Sequence, residues 1–174
     1  MSERQPEAQV MWQGKYIRAM RQGQWEYASR CKAMTAVVIY ADVEGEVLLI
    51  EQERVPIGKR CIELPAGLVG DEDENATILG TAAKELEEET GYGADSFEII
   101  GEYYSSPGMI AESFTLVRAF GVTKTGDGGG NEHEEILVHL VPKAEVRAFI
   151  ERKRGEECAI DVRILALADF LAAE

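Results

Sequence analysis

An α+β fold is predicted by the order of the elements and by the absence of repetition. Short runs rich in β-branched and aromatic residues fill most of the chain, one long helical segment interrupts them, and two further helical segments close it. No internal repeat is evident, so layering of the α+β or sandwich type is expected rather than a series of βαβ units. At 174 residues, 45% of them hydrophobic, the chain is long enough to bury one sizeable core, and no linker divides it.

Residues 1 to 9 are polar and are expected to fray. Lys15 to Met20 and Trp25 to Ser29 predict a peripheral antiparallel hairpin around Gly23. Trp25 and Tyr27 alternate with charged neighbours, which gives one aromatic face suited either to core or interface packing or to stacking on a base. Thr35 to Tyr40 and Glu46 to Glu51 read as two strands of an antiparallel hairpin turning at Asp42, Glu44 and Gly45. The second leads through Gln52, Glu53 and Arg54 into a loop with Pro56 and Gly58, then Cys61 to Leu64 and the turn Pro65-Ala66-Gly67. Arg54 is either a surface residue or a fixed guanidinium for a phosphate or a base.

Asp71 to Asn75 is an acidic loop of D-x-D-x-N spacing. Continuing that pattern puts Ala76 and Ala82 where a calcium loop needs glycine and glutamate, so calcium-loop geometry is not supported. Asn75 or Thr77 is the expected N-cap of a helix that ends at Gly91, where glycine tolerates the left-handed conformation. On this helix Leu79, Ala82, Ala83, Leu86 and Thr90 share one side, while Glu85 and Glu89 lie together on another, flanked by Glu88. Acids are disfavoured at the negative end of a helix, and Glu85 and Glu89 are like charges four residues apart, so a cation is expected to offset them. Grouped carboxylates suit Mg²⁺ or Mn²⁺; the alternative is a solvated acidic face.

Beyond Gly91, Phe97 to Tyr104 and Ser113 to Phe120 are strands joined by a candidate substrate loop that contains Ser106, Pro107, Gly108, Met109 and Glu112. Thr125 to Glu135 is glycine-rich and acidic, and precedes the strand Ile136 to Val141. Lys143 to Arg154 and Cys158 to Ala173 read as helices broken at Gly155, with no chemistry in either.

A net charge of −14 and a pI near 4.6 argue against sequence-independent nucleic-acid binding and against anionic membranes. Neither a secretory leader nor an apolar run long enough for a bilayer is found, and the cytoplasm is the expected location. Cys31, Cys61 and Cys158 form no C-x-x-C pair and are expected to be small buried hydrophobes.

The run Glu85-Leu86-Glu87-Glu88-Glu89-Thr90-Gly91-Tyr92 resembles the core of the Nudix box, G-x5-E-x7-R-E-U-x-E-E-x-G-U. Lys84 stands where the box has arginine, Tyr92 takes its last aliphatic position, and counting from Gly67 the loop is three residues longer than the pattern. The first glutamate of the box then corresponds to Asp73 or Glu74. Gln52-Glu53-Arg54, Glu63-Leu64-Pro65-Ala66-Gly67, Ser106-Pro107-Gly108 with Glu112, and Glu132-His133-Glu134-Glu135 extend the resemblance to the ADP-ribose pyrophosphatase-like branch of the Nudix hydrolases, over roughly residues 12 to 150.

That resemblance implies an α/β/α sandwich around a mixed sheet, with residues 1–34 as N-terminal strands exchanged in a homodimer and residues 35–174 as the hydrolase domain. It implies Mg²⁺-dependent cleavage of a nucleoside diphosphate sugar, ADP-ribose foremost, with GDP-mannose or a non-catalytic nucleotide-binding role as alternatives. By position, Ala66 through its carbonyl, Glu85, Glu89 and Glu134 would hold metal. Glu132 would be the general base, with Glu88 and Lys84 beside it in the catalytic group. Arg54, Glu112, Met109 and Trp25 would contact substrate.

Overall fold

Three antiparallel strands open the chain in the computed structural model, which describes residues 6–32, 34–71, 73, 75–130 and 135–166: β1 (Gln9–Gln13), β2 (Ile17–Gln22) and β3 (Trp25–Arg30). β2 and β3 are the expected hairpin, and β1 adds a third strand just where fraying was expected to end. Backbone bonds join this small sheet to the rest at β3, where the Ala28 amide donates to the Met109 carbonyl and the Ala111 amide to the Ala28 carbonyl.

The body follows as β4 (Thr35–Tyr40), β5 (Asp42–Val43), β6 (Glu46–Arg54), β7 (Lys59–Glu63), β8 (Ala66–Val69), α1 (Ile78–Thr90), β9 (Tyr92–Gly93), β10 (Ser96–Tyr104), β11 (Ser113–Phe120), β12 (Thr123–Lys124), β13 (Leu137–Pro142), α2 (Val146–Gly155), β14 (Ala159–Ile160) and α3 (Val162–Ala166). One sheet runs β10-β11-β4-β8, with β11 and β4 parallel. A second runs β13-β6-β7-β14, with β7 and β14 parallel and β5 paired to β6. β9 pairs with β12.

The hairpin expected between β4 and β6 does not form. β4 is buried on both faces, because Val38 and Tyr40 feed one apolar cluster while Val37 and Ile39 feed another; both its edges are taken, by β11 and β8. Only the two residues of β5 fold back on β6. The clusters define the layers: Ala82 and Leu86 of α1 pack with Val37, Ile39 and Leu48, whereas Val146, Phe149 and Ile150 of α2 pack with Val38, Leu49 and Ile62. An α/β/α sandwich with mixed sheets results. Among the described residues no helix is long and apolar enough to cross a membrane.

Two expectations fail near the C-terminus. Gly155 closes α2 rather than breaking the chain, and the left-handed residue is Glu157, with φ 63°. Cys158 to Ile160 is not helical, because Ala159 and Ile160 pair in parallel with Cys61 and Ile62 and extend the second sheet. Of the three cysteines only Cys61 is buried; Cys31 and Cys158 are half-buried, and all are free thiols.

The alternation of β6 sorts its residues by layer. Leu49 and Glu51 face α2, and Glu51, 4% exposed, accepts from Arg60 Nε at 2.8 Å, His139 Nε2 at 2.9 Å and Lys153 Nζ at 2.9 Å. Burial opposes the charge of this carboxyl, but the hydrogen bonds from Lys153, His139 and Arg60 outweigh it and hold the group down at about 2. A depressed folded-state value stabilises the protein above the ordinary carboxyl value of 4.5 and ceases to do so as the pH falls through about 2. Glu51→Gln is therefore expected to cost about 3 kcal/mol at neutral pH, by leaving cations clustered around a neutral group. In thermal melts its deficit against the native chain should narrow between pH 4.5 and about 2.

Candidate functional site

Helix α1 starts at Thr77, whose hydroxyl accepts the Gly80 amide at 3.1 Å, and ends at Gly91 with φ 70°. Its rotation differs from the expected one. Ile78, Ala82, Leu86 and Thr90 form the row packed inward, while Leu79 and Ala83 are exposed. This turns the next row, Thr81, Glu85 and Glu89, onto β8.

Glu85 and Glu89 thus share a side, but it is not solvent-facing: Glu89 is 5% exposed and its Oε2 accepts the Ala66 amide at 3.0 Å. The Glu85 carboxylate lies so close to Gly67 that a Cβ there would overlap it. Glu88 lies on the outer row, half exposed, with Lys84 Nζ 3.7 Å from its Oε2. Lys84 stands at the arginine position as a single-point partner.

The unfavourable helix end is resolved mainly by backbone. The amides of Gly129 and Gly130 donate to the carbonyls of Glu89 and Glu88 at 2.9 and 3.0 Å, and those of Thr125 and Gly126 to Gly91 at 2.8 and 3.0 Å. Lys124 Nζ donates to the Thr90 carbonyl at 3.1 Å and places a cation at the negative end of the helix. Side chains are excluded from the contact, since a Cβ on Gly91 would meet the backbone of Gly126 and Gly128, and one on Gly128 the backbone of Thr90 and Gly91. The glycine-rich loop is therefore anchored on the carboxylate helix. Glu132 and Glu134 lie outside the described residues.

Gly70 has φ 90° and opens the loop after β8, whereas Gly67 lies within the strand. Counted from Gly70, Lys84 falls at the arginine position with no insertion, and Ala76 occupies the place of the first glutamate. Neither Asp73 nor Glu74 is then that residue. Asp73 instead caps its own turn by accepting the Asn75 amide at 2.9 Å.

Facing the carboxylates is a wall of arginines. Arg54, an even residue of β6, and Glu63, an odd residue of β7, lie on the same side of the sheet, and the guanidinium holds both carboxylate oxygens at 2.6 Å. Glu63 is 1% exposed, and this bond raises the affinity of Arg54 for its proton. Arg30 of β3 is ion-paired with Glu112. Arg30, Arg54, Glu112 and Arg163 line the same pocket as Ala66, Gly67, Lys84, Glu85, Glu88 and Glu89, a volume of about 520 Å³. Trp25 and Met109 are exposed and do not line it in the single chain.

Arg163 and Glu63 were not singled out for any role by sequence reasoning. Glu63 carried a signal in its two-residue spacing from Cys61, which pairs with Gln52 and so puts Glu63 on the side of Gln52 and Arg54; Arg163 carried none, because its segment reads as part of an amphipathic helix.

The donors fit a hard divalent cation. The carboxylates of Glu85 and Glu89 offer oxygen donors at one edge of the pocket beside Ala66, and among the described residues no three His, Cys, Asp or Glu groups form a metal cage. An ion that keeps several waters and takes its remaining ligands from phosphate oxygens needs only such a partial set.

The NUDIX domain profile matches residues 32–162. The chain is 34% identical over 139 residues to a methanol dehydrogenase activator of Bacillus methanolicus, covering 77% of this chain and 72% of that protein. It is 36% identical over 139 residues to an ADP-ribose pyrophosphatase of Mycobacterium tuberculosis, covering 79% and 63% of the two. A solved structure titled as an ADP compounds hydrolase superposes with a TM-score of 0.68 at 18% identity, covering 85% of this chain and 82% of that one, which shows the shared fold.

Gly67→Ala tests the approach of Glu85 to the backbone. The atoms a Cβ would meet end a flexible side chain, so the carboxylate should move rather than the strand. The affinity for a divalent cation, measured by titration calorimetry, is expected to fall about tenfold, with the melting temperature lowered by only a few degrees.

Proposed function

Because this chain belongs to the Nudix family and is a hydrolase of that kind, we propose that it cleaves the diphosphate of a nucleoside diphosphate sugar with Mg²⁺, converting ADP-ribose and water to AMP and ribose 5-phosphate. The observation that carries this reading is one pocket with two opposed walls, Glu85 and Glu89 on Ala66 and Gly67 facing Arg54 on Glu63. An acidic wall alone would repel a diphosphate, and a basic wall alone would bind it without activating water.

In this reading Glu85, Glu89 and the Ala66 carbonyl, joined by Glu134, hold Mg²⁺. The ion, when bound, supplies charge neutralisation for the diphosphate and polarisation for hydrolysis. Arg54, fixed by Glu63, contacts a phosphate. Glu112, oriented by Arg30, accepts hydrogen bonds from sugar hydroxyls. Lys84 restrains Glu88 beside the metal ligands. Glu132 takes the proton of the attacking water, a role drawn from its position in the sequence; the described loop before it is bonded through Gly129 and Gly130 to the end of α1.

A homodimer is part of the same proposal. Val10, Met11, Trp12, Tyr16 and Ile17 are all about half exposed on the β1–β3 sheet, more apolar surface than a monomeric ribbon ordinarily leaves in water. A second copy of this sheet is the partner assigned to it, and Trp25 and Met109 are assigned to the substrate in the assembled pair. Sedimentation at the monomer mass would refute the dimer.

Replacement of the box arginine by Lys84 and of its first glutamate by Ala76 favours a second reading, a protein that binds a nucleotide without turning it over. A panel of nucleoside diphosphate sugars, including ADP-ribose and GDP-mannose, assayed at one Mg²⁺ concentration with chromatography of the products separates the two. AMP from ADP-ribose supports the enzyme; tight binding with no product in any divalent metal supports the binding protein.

Glu89→Gln keeps an acceptor for the Ala66 amide but removes a ligand charge. It should reduce turnover by about a hundredfold or more and raise the Mg²⁺ requirement, with circular dichroism unchanged. Glu132→Gln should reduce turnover comparably at an almost unchanged Mg²⁺ requirement; the reverse pattern would make Glu132 a ligand.

A further inference from the structure

Arg54 and Glu63 form a plate of two side chains, locked to each other by two hydrogen bonds of 2.6 Å. A third group joins them. Arg163, at the start of α3, reaches Glu63 Oε2 with Nη2 at 3.4 Å, while its Nε holds Asp161 Oδ1 at 2.9 Å and its own amide donates to the same oxygen at 2.7 Å. The four side chains alternate in charge as Asp161, Arg163, Glu63 and Arg54, and begin on an element held in the second sheet through β14. Glu63 is buried behind the two arginines, and both of these line the pocket.

We infer that Arg163 is a positioning residue for anion recognition: it reaches the Glu63 Oε2 that Arg54 Nη2 also holds, and so fixes Glu63 such that Arg54 presents its remaining amino group to a phosphate. This rests on Arg54 as the phosphate contact of the proposed function. A direct role for Arg163 is the competing account, since it too lines the pocket. The two differ in coupling. A residue acting through Arg54 loses its effect when Arg54 is absent, whereas a second direct contact keeps it.

The experiment is a double-mutant cycle of Arg54→Ala and Arg163→Ala, read as the Kd of ADP with Mg²⁺ by titration calorimetry and as KM and kcat for the nucleoside diphosphate sugar. Each single variant is expected to weaken ADP binding about tenfold, the scale of one charge-assisted bond, and the double variant to match Arg54→Ala within about twofold. KM should rise more than kcat falls. Arg163→Gln, which can still bond Asp161, repeats the cycle if Arg163→Ala melts more than a few degrees early. Multiplying single effects, or an Arg163 variant with unchanged ADP affinity, would overturn the inference. Failure of the native chain to release a nucleoside monophosphate would instead overturn the proposed reaction, while the ADP cycle still decides the role of Arg163.

Discussion

The contact of α1 with the first two residues of β8 is the constraint from which the site is built. Glu89 accepts the Ala66 amide and Glu85 rests on Gly67, so the two carboxylates are brought to the edge of a sheet rather than left in solvent. Two like charges four residues apart repel, and a buried carboxylate is costly without partners. The backbone amide answers part of that cost, and the lack of a side chain at Gly67 provides the space. A fold that seats α1 in this way creates a demand for positive charge that the pocket's arginines meet only from the far side.

The other end of the same helix is held without side chains. Four amides from Thr125 to Gly130 and the Lys124 ammonium satisfy the last carbonyls, and the approach is so close that glycine is required on both partners. Helix, strand and residues 125–130 are therefore tied together through the backbone, which suits a site in which ligands must stay within fractions of an ångström.

Much of this was legible in the sequence because it rests on local rules. The period of α1, a cap narrowed to Asn75 or Thr77, the Gly91 terminus and the grouping of Glu85 with Glu89 all follow from spacing and from local residue preferences. The rotation of the helix about its axis was not legible: Leu79 and Ala83 fit an apolar stripe on a wheel, and only packing against β4 and β8 turns Ile78 and Thr90 inward. β4 and β6 look like a hairpin because they are adjacent and joined by turn residues, yet strands buried on both faces choose partners by sheet order, which is non-local. Arg163 was hidden for the same reason. Its role depends on β14 pairing with β7, a two-residue contact between segments nearly a hundred positions apart.

Strand β6 carries charge on both of its faces and keeps the two apart. Glu51 gathers Arg60, His139 and Lys153 under α2, and three residues on, Arg54 gathers Glu63 and Arg163 on the pocket side. A sheet lies between them, and neither network shares a side chain with the other. Heat or acid resistance can therefore be adjusted from the α2 side with little disturbance of the pocket, and substrate preference from the other side with little loss of stability. The chain has two nearly independent surfaces on which variation can act, joined by a strand whose own apolar residues are free to do nothing but pack.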